Sequence, residues 1–207
     1  MARHTDIAGV ILAGGRSSRM GGCDKALLTV AGTSLLDRAA ATLAPQVGPL
    51  CLNSDSEAVR RGLPGVPAVT DALPGFAGPL AGLLGALDWM RDHAPGCRWL
   101  VSVPVDAPLF PADLVARLAA AVAAGEGELA CARSGGRLHP VFGLWPLALA
   151  DELRRAVITE GVRKVRQWTG RYRLAAVEWP DRPHDPFLNI NTPEELERLR
   201  AFLGKGS

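Results

Sequence analysis

Near its amino terminus the chain reads Ile11-Leu-Ala-Gly-Gly-Arg-Ser-Ser-Arg-Met-Gly-Gly-Cys-Asp-Lys25, an apolar segment followed by a glycine-rich loop. Its glycines can adopt positive φ and bring bare backbone N–H groups against an anion, while Arg16, Arg19 and Lys25 supply compensating charge. The loop lacks the Gly-Lys-Ser/Thr of a Walker P-loop, and no G-x-G-x-x-G follows the strand. It predicts a polyphosphate site of another type, with a solvated surface turn as the alternative.

Length and composition restrict the class of protein. The 207 residues, 48% of them hydrophobic, are sufficient for one large domain. The 23 basic and 21 acidic side chains nearly cancel, so we expect neither a nucleic acid nor a membrane as partner. Cys23, Cys51, Cys97 and Cys131 are scattered without a C-x-x-C pair, which predicts reduced thiols in a cytoplasmic protein.

Short apolar segments alternate with amphipathic helical segments, as in βαβ units. We therefore predict an α/β fold, a Rossmann-like three-layer sandwich with a mainly parallel central sheet. The predicted strands span 7–12, 49–53, 66–70, 99–103, 129–132, 138–144 and 173–178. The predicted helices span 34–43, 56–61, 79–92, 112–124, 147–156, 162–168 and 193–203. Thr192 and Glu195 have the spacing of a capping box at the start of the last helix.

Four polar features follow the first four predicted strands. They are the glycine-rich loop, Asn53, Asp71 and Asp106. In an open parallel sheet, ligands bind beyond the carboxyl ends of the strands, so these features are expected at one edge. Each Asn or Asp taken alone is more often a turn former, but their joint occurrence with a cationic loop favours a nucleotide pocket.

Asp106 has the strongest chemical argument, because it lies in Val103-Pro-Val-Asp-Ala-Pro-Leu109 with a proline two residues away on each side. A carboxylate fixed at a strand end can bind Mg²⁺, which usually takes one or two protein carboxylates together with phosphate oxygens. Such a metal would neutralise charge on a transferring phosphoryl group and its leaving pyrophosphate. Lys25 and Arg19 are expected to share that role.

The sequence resembles the molybdenum cofactor guanylyltransferases, which are related to the sugar-nucleotide pyrophosphorylases. The resemblance depends on an ordered set of motifs through most of the chain. They are Leu12-Ala-Gly-Gly-Arg-Ser-Ser-Arg-Met-Gly-Gly-Cys-Asp-Lys25, Asn53, Asp71, Gly78-Pro-Leu-Ala-Gly82, Val103-Pro-Val-Asp-Ala-Pro108, His139-Pro-Val-Phe-Gly143 and Asn189-Ile-Asn-Thr-Pro193. The first motif is typical of the whole superfamily, and the closing motif of this branch.

The resemblance implies a fold of the nucleotide-diphospho-sugar transferase type and transfer of GMP from GTP to the phosphate of molybdopterin, with Mg²⁺ and release of pyrophosphate. It implies Arg19, Lys25 and Asp106 as catalytic residues and Asp106 as metal ligand. The residues implied to contact nucleotide are Leu12, Ala13, Gly14, Gly15, Lys25, Asn53, Asp71, Gly78 and Asp106. Guanine requires acceptors for its N1–H and amine, for which Asp71 and backbone carbonyls near Leu12 and Gly78 are candidates.

The binding site for the second substrate is less clearly marked. A basic stretch holds Arg154, Arg155, Arg163, Lys164, Arg166, Arg171 and Arg173 against Glu160 alone. Arg163 and Arg166 are the candidates for the molybdopterin phosphate. Asn189 and Asn191 are acceptor candidates if the segment before the last helix returns to the pocket, with turn and cap residues as the alternative. Trp145 or Trp168 could offer the pterin an apolar face, although a solvated helix with its tryptophan in the core is the preferred interpretation. His139, which precedes a proline, is expected to be structural.

We expect residues 1–110 of the single domain to bind nucleotide and residues 111–207 to bind the acceptor. Transient contact with cofactor-delivering proteins or molybdoenzymes is a further expectation. The alternatives are a cytidylyltransferase for the same cofactor, a sugar-phosphate or methylerythritol nucleotidyltransferase, and a non-catalytic GTP-binding adaptor that escorts molybdopterin. Release of pyrophosphate separates the adaptor from the enzymes.

Overall fold

The structure is a computed structural model that describes residues 3–14, 24–72 and 78–204. The described strands are β1 (Ile7–Leu12), β2 (Thr29–Val30), β3 (Thr33–Ser34), β4 (Leu50–Asn53), β5 (Ala68–Val69), β6 (Trp99–Pro104), β7 (Leu129–Ser134), β8 (Arg137–Pro146) and β9 (Leu174–Trp179). The described helices are α1 (Leu35–Leu43), α2 (Glu57–Arg61), α3 (Pro79–His93), α4 (Leu114–Ala123), α5 (Ala150–Ile158), α6 (Val165–Thr169) and α7 (Pro193–Gly204). Three short 3₁₀ turns complete the regular structure: Lys25–Leu27, Ala44–Gln46 and Leu147–Leu149.

Seven strands form one sheet in the order β5-β4-β1-β6-β8-β7-β9. Strands β5, β4, β1 and β6 are mutually parallel. Strand β8 runs antiparallel to both β6 and β7, and β9 returns parallel to β7. The predicted mainly parallel sheet is confirmed, and one edge of it gathers the carboxyl ends of six strands and the amino end of β8.

Helices cover both faces of the sheet, because successive side chains of a buried strand point to opposite sides. Ile7 and Ile11 of β1 pack with the apolar faces of α1, α4 and α7. Ala8 and Val10 of the same strand pack with α3, α5 and α6. Since every residue of β1 is buried, the predicted three-layer sandwich is confirmed.

The predicted elements agree with the structure apart from their ends and one missed hairpin. α5 and α6 differ most in their limits: the predicted helix 147–156 begins as a 3₁₀ turn, and the predicted helix 162–168 begins only at Val165. The capping box is formed, with Glu195 N–H donating to Thr192 Oγ1 over 3.2 Å and Thr192 N–H donating to Glu195 Oε2 over 3.0 Å. Within the described residues, every helix is too short or too polar to cross a bilayer.

The missed hairpin joins β2 and β3 through Ala31 and Gly32, whose φ angles are 49° and 75°. Positive φ at both central residues is the signature of a type I′ turn, which matches the twist of paired strands. Ala-Gly is a weaker turn signal than Asn-Gly or Asp-Gly, so this part of the sequence did not identify the hairpin.

Candidate active site

Lys25 and Asp106 meet at the carboxyl edge of the sheet. Lys25 Nζ donates to Asp106 Oδ2 over 3.1 Å, and the two side chains are only 14% and 23% exposed. Asp106 follows β6, where Val105 N–H donates to the Leu12 carbonyl over 3.0 Å and so fixes the turn to β1. The predicted approach of Lys25, the last residue of the glycine-rich motif, to the carboxylate after β6 is observed.

The other carboxylate oxygen of Asp106 is placed for a ligand. Oδ1 is buried and has no hydrogen-bond partner among the described residues. A buried carboxylate oxygen without a partner is costly unless a cation or donor arrives to satisfy it. No three His, Cys, Asp or Glu side chains of the described ranges lie close enough together to form a metal cage. The free oxygen of Asp106 therefore fits a divalent metal ion that takes few protein ligands because phosphate oxygens supply the rest.

A third group joins this pair from the far end of the chain. Asn191 Oδ1 accepts a hydrogen bond from Lys25 Nζ over 2.9 Å, and Ile190 N–H donates to the Asp106 carbonyl over 2.8 Å. Asn189 lies two residues earlier and is exposed. The segment before α7 thus returns to the strand ends and brings Asn191 to the Lys25–Asp106 pair.

Asn53 and Asp71 form the opposite wall of the site. Asn53 Nδ2 donates to Asp71 Oδ1 over 3.1 Å and to the Val69 carbonyl over 3.4 Å. The backbone of the loop is tied to this wall, because Ala13 N–H donates to the Asn53 carbonyl over 2.8 Å. Burial raises the pKa of Asp71, the hydrogen bond from Asn53 opposes this, and the nearby Asp55 charge adds to the increase.

Glycines line this wall because larger residues would not fit. A Cβ at Gly82 would lie 2.2 Å from Asn53 Oδ1, and one at Gly14 would lie 3.1 Å from the same atom. Gly85 packs equally closely on the Thr70 carbonyl, at 2.4 Å. α3 therefore packs closely on the ends of β4 and β5 through Gly82 and Gly85.

Gly14 does not have the positive φ that was expected for the glycines of this loop. Gly14 is not among the described glycines with positive φ, so it is needed for space beside Asn53 and not for a left-handed conformation. Gly78 does have a positive φ, 151°, at the start of α3, where Pro79 occupies the first helical position. Gly15, Arg16 and Arg19 lie outside the described residues, as does Cys23.

The candidates for acceptor binding are distributed over two places. A Cβ at Gly78 would lie 3.6 Å from the Arg163 carbonyl, which puts this part of the α5–α6 connection beside the start of α3. Arg163 Nη1 donates to the Val157 carbonyl over 3.3 Å. Arg166 lines a cavity of about 230 Å³ with Leu138, Pro140 and Tyr172. Asn191 alone of the four has a hydrogen bond to Lys25 among the described contacts.

Part of the basic stretch is neutralised within the fold. Arg154 pairs with Asp88, and both Arg155 and Arg171 pair with Glu160. Trp145 and Trp168 are 1% and 0% exposed, and their rings lie 5.5 Å apart in the core. Neither indole offers a face to a pterin, which confirms the preferred interpretation of Trp168 as a core residue.

Sequence reasoning missed the support under Lys25. Ser56 Oγ donates to Asp24 Oδ2 over 2.6 Å, and Leu27 N–H donates to the Asp24 carbonyl over 2.9 Å. These bonds attach the 3₁₀ turn that carries Lys25 to the start of α2. The sequence offered only two residue types that commonly cap helices, Asp24 and Ser56, and their separation by 32 positions did not indicate that they would meet.

Comparison with known proteins shows the family of this chain. The family of MobA-like NTP transferase domains matches residues 9–177. The molybdenum cofactor guanylyltransferase of Bradyrhizobium sp. (strain ORS 278) is 49% identical over 96% of this chain and 95% of its own length. Molybdopterin-guanine dinucleotide biosynthesis protein A from Archaeoglobus fulgidus is similar in fold, with a TM-score of 0.72, 22% identity and coverage of 96% and 99% of the two chains.

A protein of Mycobacterium tuberculosis H37Rv, solved as a complex with manganese, is likewise similar in fold, with a TM-score of 0.70, 20% identity and coverage of 96% and 99% of the two chains. These two structures show the fold, whereas the family match indicates the function. The matched residues 9–177 include Asn53, Asp71 and Asp106. The chain belongs to the MobA-like NTP transferases and, among them, to the molybdenum cofactor guanylyltransferase family of nucleotidyltransferases.

Proposed function

We propose that this nucleotidyltransferase transfers GMP from GTP to the phosphate of molybdopterin, forming the guanine dinucleotide cofactor and releasing pyrophosphate. The observation that carries the proposal is the Lys25–Asp106 pair, in which Asp106 Oδ1 is buried without a hydrogen-bond partner among the described residues. A cation and a carboxylate in one crevice are the groups needed to bind a metal–polyphosphate complex.

The nucleotide is assigned to the first half of the chain, about residues 1–110. The residues proposed to contact it are Leu12, Ala13, Gly14, Gly15, Lys25, Asn53, Asp71, Gly78 and Asp106. Asp71 is the proposed acceptor for the guanine N1–H and amine, because Asn53 Nδ2 already holds its carboxylate in one orientation over 3.1 Å. A half-buried carboxylate that loses its base partner would be left with an unsatisfied oxygen, which favours guanine over cytosine.

The acceptor is assigned to the second half, about residues 111–207, with Arg163, Arg166, Asn189 and Asn191 as its proposed contacts. Asn191 supports this division, because it comes from the second half and its Oδ1 accepts a hydrogen bond over 2.9 Å from Lys25 Nζ of the first half. The two substrates would therefore meet at Lys25.

Mg²⁺ is the proposed metal, with Asp106 as its protein ligand, and when bound it would supply charge neutralisation for the phosphoryl group and the pyrophosphate. Lys25 lies against this carboxylate, and Arg19, which is outside the described residues, is proposed to add positive charge to the same phosphates. The phosphate of molybdopterin is already an anionic nucleophile, so no general base is required and the protein acts by positioning and electrostatics. His139 is not needed as a general base, and its Nε2 is already engaged with Ser134 Oγ at 2.7 Å.

The cytoplasm is the proposed location, because Cys51, Cys97 and Cys131 are free thiols of the kind that persist in a reducing compartment. Cofactor-delivering proteins or molybdoenzymes are the proposed transient partners for the product.

The decisive experiment offers the purified protein each nucleoside triphosphate with Mg²⁺ and molybdopterin, and weighs the product by mass spectrometry while pyrophosphate is assayed. A GMP adduct with equimolar pyrophosphate is expected. A CMP adduct would assign the chain to the cytidylyl alternative, and nucleotide binding without pyrophosphate would make it an adaptor.

A further inference from the structure

A cluster of three polar residues lies beside the site, at the same edge of the sheet. Ser134 ends β7, His139 is near the start of β8, and Asp185 lies in the segment between β9 and α7. Ser134 Oγ is 2.7 Å from His139 Nε2 and 2.8 Å from Asp185 Oδ1. We name these three residues the Asp185 clamp.

The chemistry of the clamp fixes the direction of its hydrogen bonds. An ionised carboxylate can only accept, so the Ser134 hydroxyl donates to Asp185. The single proton of that hydroxyl is then used, and His139 must donate its Nε2–H to Ser134 Oγ. Burial lowers the pKa of His139, which favours the neutral ring, although the nearby Asp185 charge opposes the change.

The cluster does not have the geometry of a hydrolytic triad. In such a triad the carboxylate orients the histidine and the serine is left exposed to attack substrate. Here the carboxylate binds the serine, whose residue is 1% exposed. Its role is therefore to attach one part of the fold to another.

The attached part is the segment 185–191. Asp185 Oδ1 also accepts from Phe187 N–H over 2.9 Å, which forms a tight turn at the start of the segment. Phe187 is buried, and its ring lies 5.1 Å from the ring of His139 and 4.9 Å from that of Phe142. Three residues later, Ile190 N–H donates to the Asp106 carbonyl over 2.8 Å.

We propose that Asp185 is a positioning residue for this enzyme: held through Ser134 to His139, it fixes the segment so that Asn191 meets Lys25 and Ile190 meets Asp106. The proposal rests on the proposed function, since it concerns the groups that bring the two substrates together. Asp185 acts only through the segment that it anchors, without contact to either substrate.

The first test compares Asp185→Ala with Asp185→Asn, whose amide oxygen can still accept from Ser134 and from Phe187 N–H. Asp185→Ala is expected to lower kcat about 10- to 100-fold, the scale of a small misplacement of reacting groups, while the GTP dissociation constant changes less than about threefold. Asp185→Asn is expected to recover most of the loss. Asp181→Ala, an exposed acid in the same connection, serves as the matched control.

A double-mutant cycle tests whether Asp185 acts through Asn191. If it does, Asp185→Ala combined with Asn191→Ala will lower kcat little more than Asn191→Ala alone. Independent, multiplying losses would overturn the proposal, as would an Asp185→Ala enzyme with the wild-type kcat.

Hydrogen exchange gives a readout that does not need activity. Asp185→Ala is expected to speed amide exchange in residues 187–191 while α7 keeps its protection. Unchanged exchange in residues 187–191 would overturn the role of Asp185, whether or not the wild-type protein forms a GMP adduct. Failure of the proposed function, which the adduct tests, is therefore distinguishable from failure of this inference. Should Asp185→Ala fail to fold, Ser134→Ala replaces it, because this variant keeps the hydrogen bond from Phe187 N–H to Asp185. A Ser134→Ala enzyme with wild-type kcat and wild-type amide exchange would overturn the proposal.

Discussion

Lys25 Nζ and Asp106 Oδ2 lie 3.1 Å apart although the two residues are separated by 81 positions in sequence. The contact depends on the order of the sheet, in which β1 and β6 are parallel neighbours. The residues that follow both strands therefore emerge side by side at the same edge. This relationship underlies the first prediction.

Asp106→Asn keeps the size of the side chain but removes its charge. We expect pyrophosphate release to fall at least about 100-fold, because stabilisation of the developing charge is lost, whereas GTP binding should weaken much less. Steady-state assays and calorimetric titration with GTP measure the two effects. Asp92→Asn, at the exposed far end of α3, is the control, and an equal loss of turnover and binding would contradict a metal role for Asp106.

Asp71→Asn tests recognition of guanine. The loss of a charged hydrogen-bond acceptor costs about 1.5–3 kcal/mol, so we expect kcat/KM for GTP to fall about 10- to 100-fold. The hydrogen bond from Asn53 Nδ2 can still form with the amide oxygen of the variant. Rates with GTP and CTP measure the change in preference, and an unchanged preference would assign guanine recognition to other groups.

The pH dependence at Asp71 follows from the direction of its pKa. Burial, the largest cause, raises the pKa of the folded carboxyl above that of an unfolded aspartate. Its stabilising contribution is therefore present below the unfolded pKa and is lost as pH rises through the folded pKa. We expect Asp71→Asn to melt at or above the wild-type temperature at neutral pH. In the wild type alone, KM for GTP should rise as pH falls through the raised pKa of Asp71, because protonation removes the negative charge and one of the two acceptor oxygens.

Arg163→Ala combined with Arg166→Ala tests acceptor binding. We expect KM for molybdopterin to rise about tenfold or more, since charge-assisted contacts to a phosphate are lost, and the GTP dissociation constant to stay nearly constant. The matched control is Arg155→Ala with Arg171→Ala, which removes two positive charges from the same stretch, both of them paired with Glu160. Unchanged kinetics for molybdopterin in the first variant would reject the assignment.

Ala31 offers a test of stability away from the site. Its φ of 49° is unfavourable for a residue with a Cβ, so Ala31→Gly should raise the free energy of unfolding by about 0.5–1 kcal/mol, or the melting temperature by about 1–4 °C. Gly32→Ala, at a φ of 75°, should have the opposite sign. Thermal unfolding measures both, and a loss of stability in Ala31→Gly would contradict the turn assignment.

The sequence by itself determined the seven strands of the main sheet, the helices and the edge at which the site forms. β1 was predicted at its observed limits, because an apolar segment of six residues followed by a glycine-rich loop is typical of a buried strand. Thr192 and Glu195 marked the start of α7 through a local capping box. Since parallel strands send their carboxyl ends to one edge, the convergence of Asn53, Asp71 and Asp106 also followed from local signals.

Only the tertiary structure decided which side chains meet. The reversal of β8 puts His139 at the same edge as Ser134, and the connection after β9 then brings Asp185 to both of them. It also carries Asn191 to Lys25 across 166 positions. No local pattern encodes these contacts, because they depend on the order and direction of strands, which are selected by burial of the whole sheet between its two layers of helices.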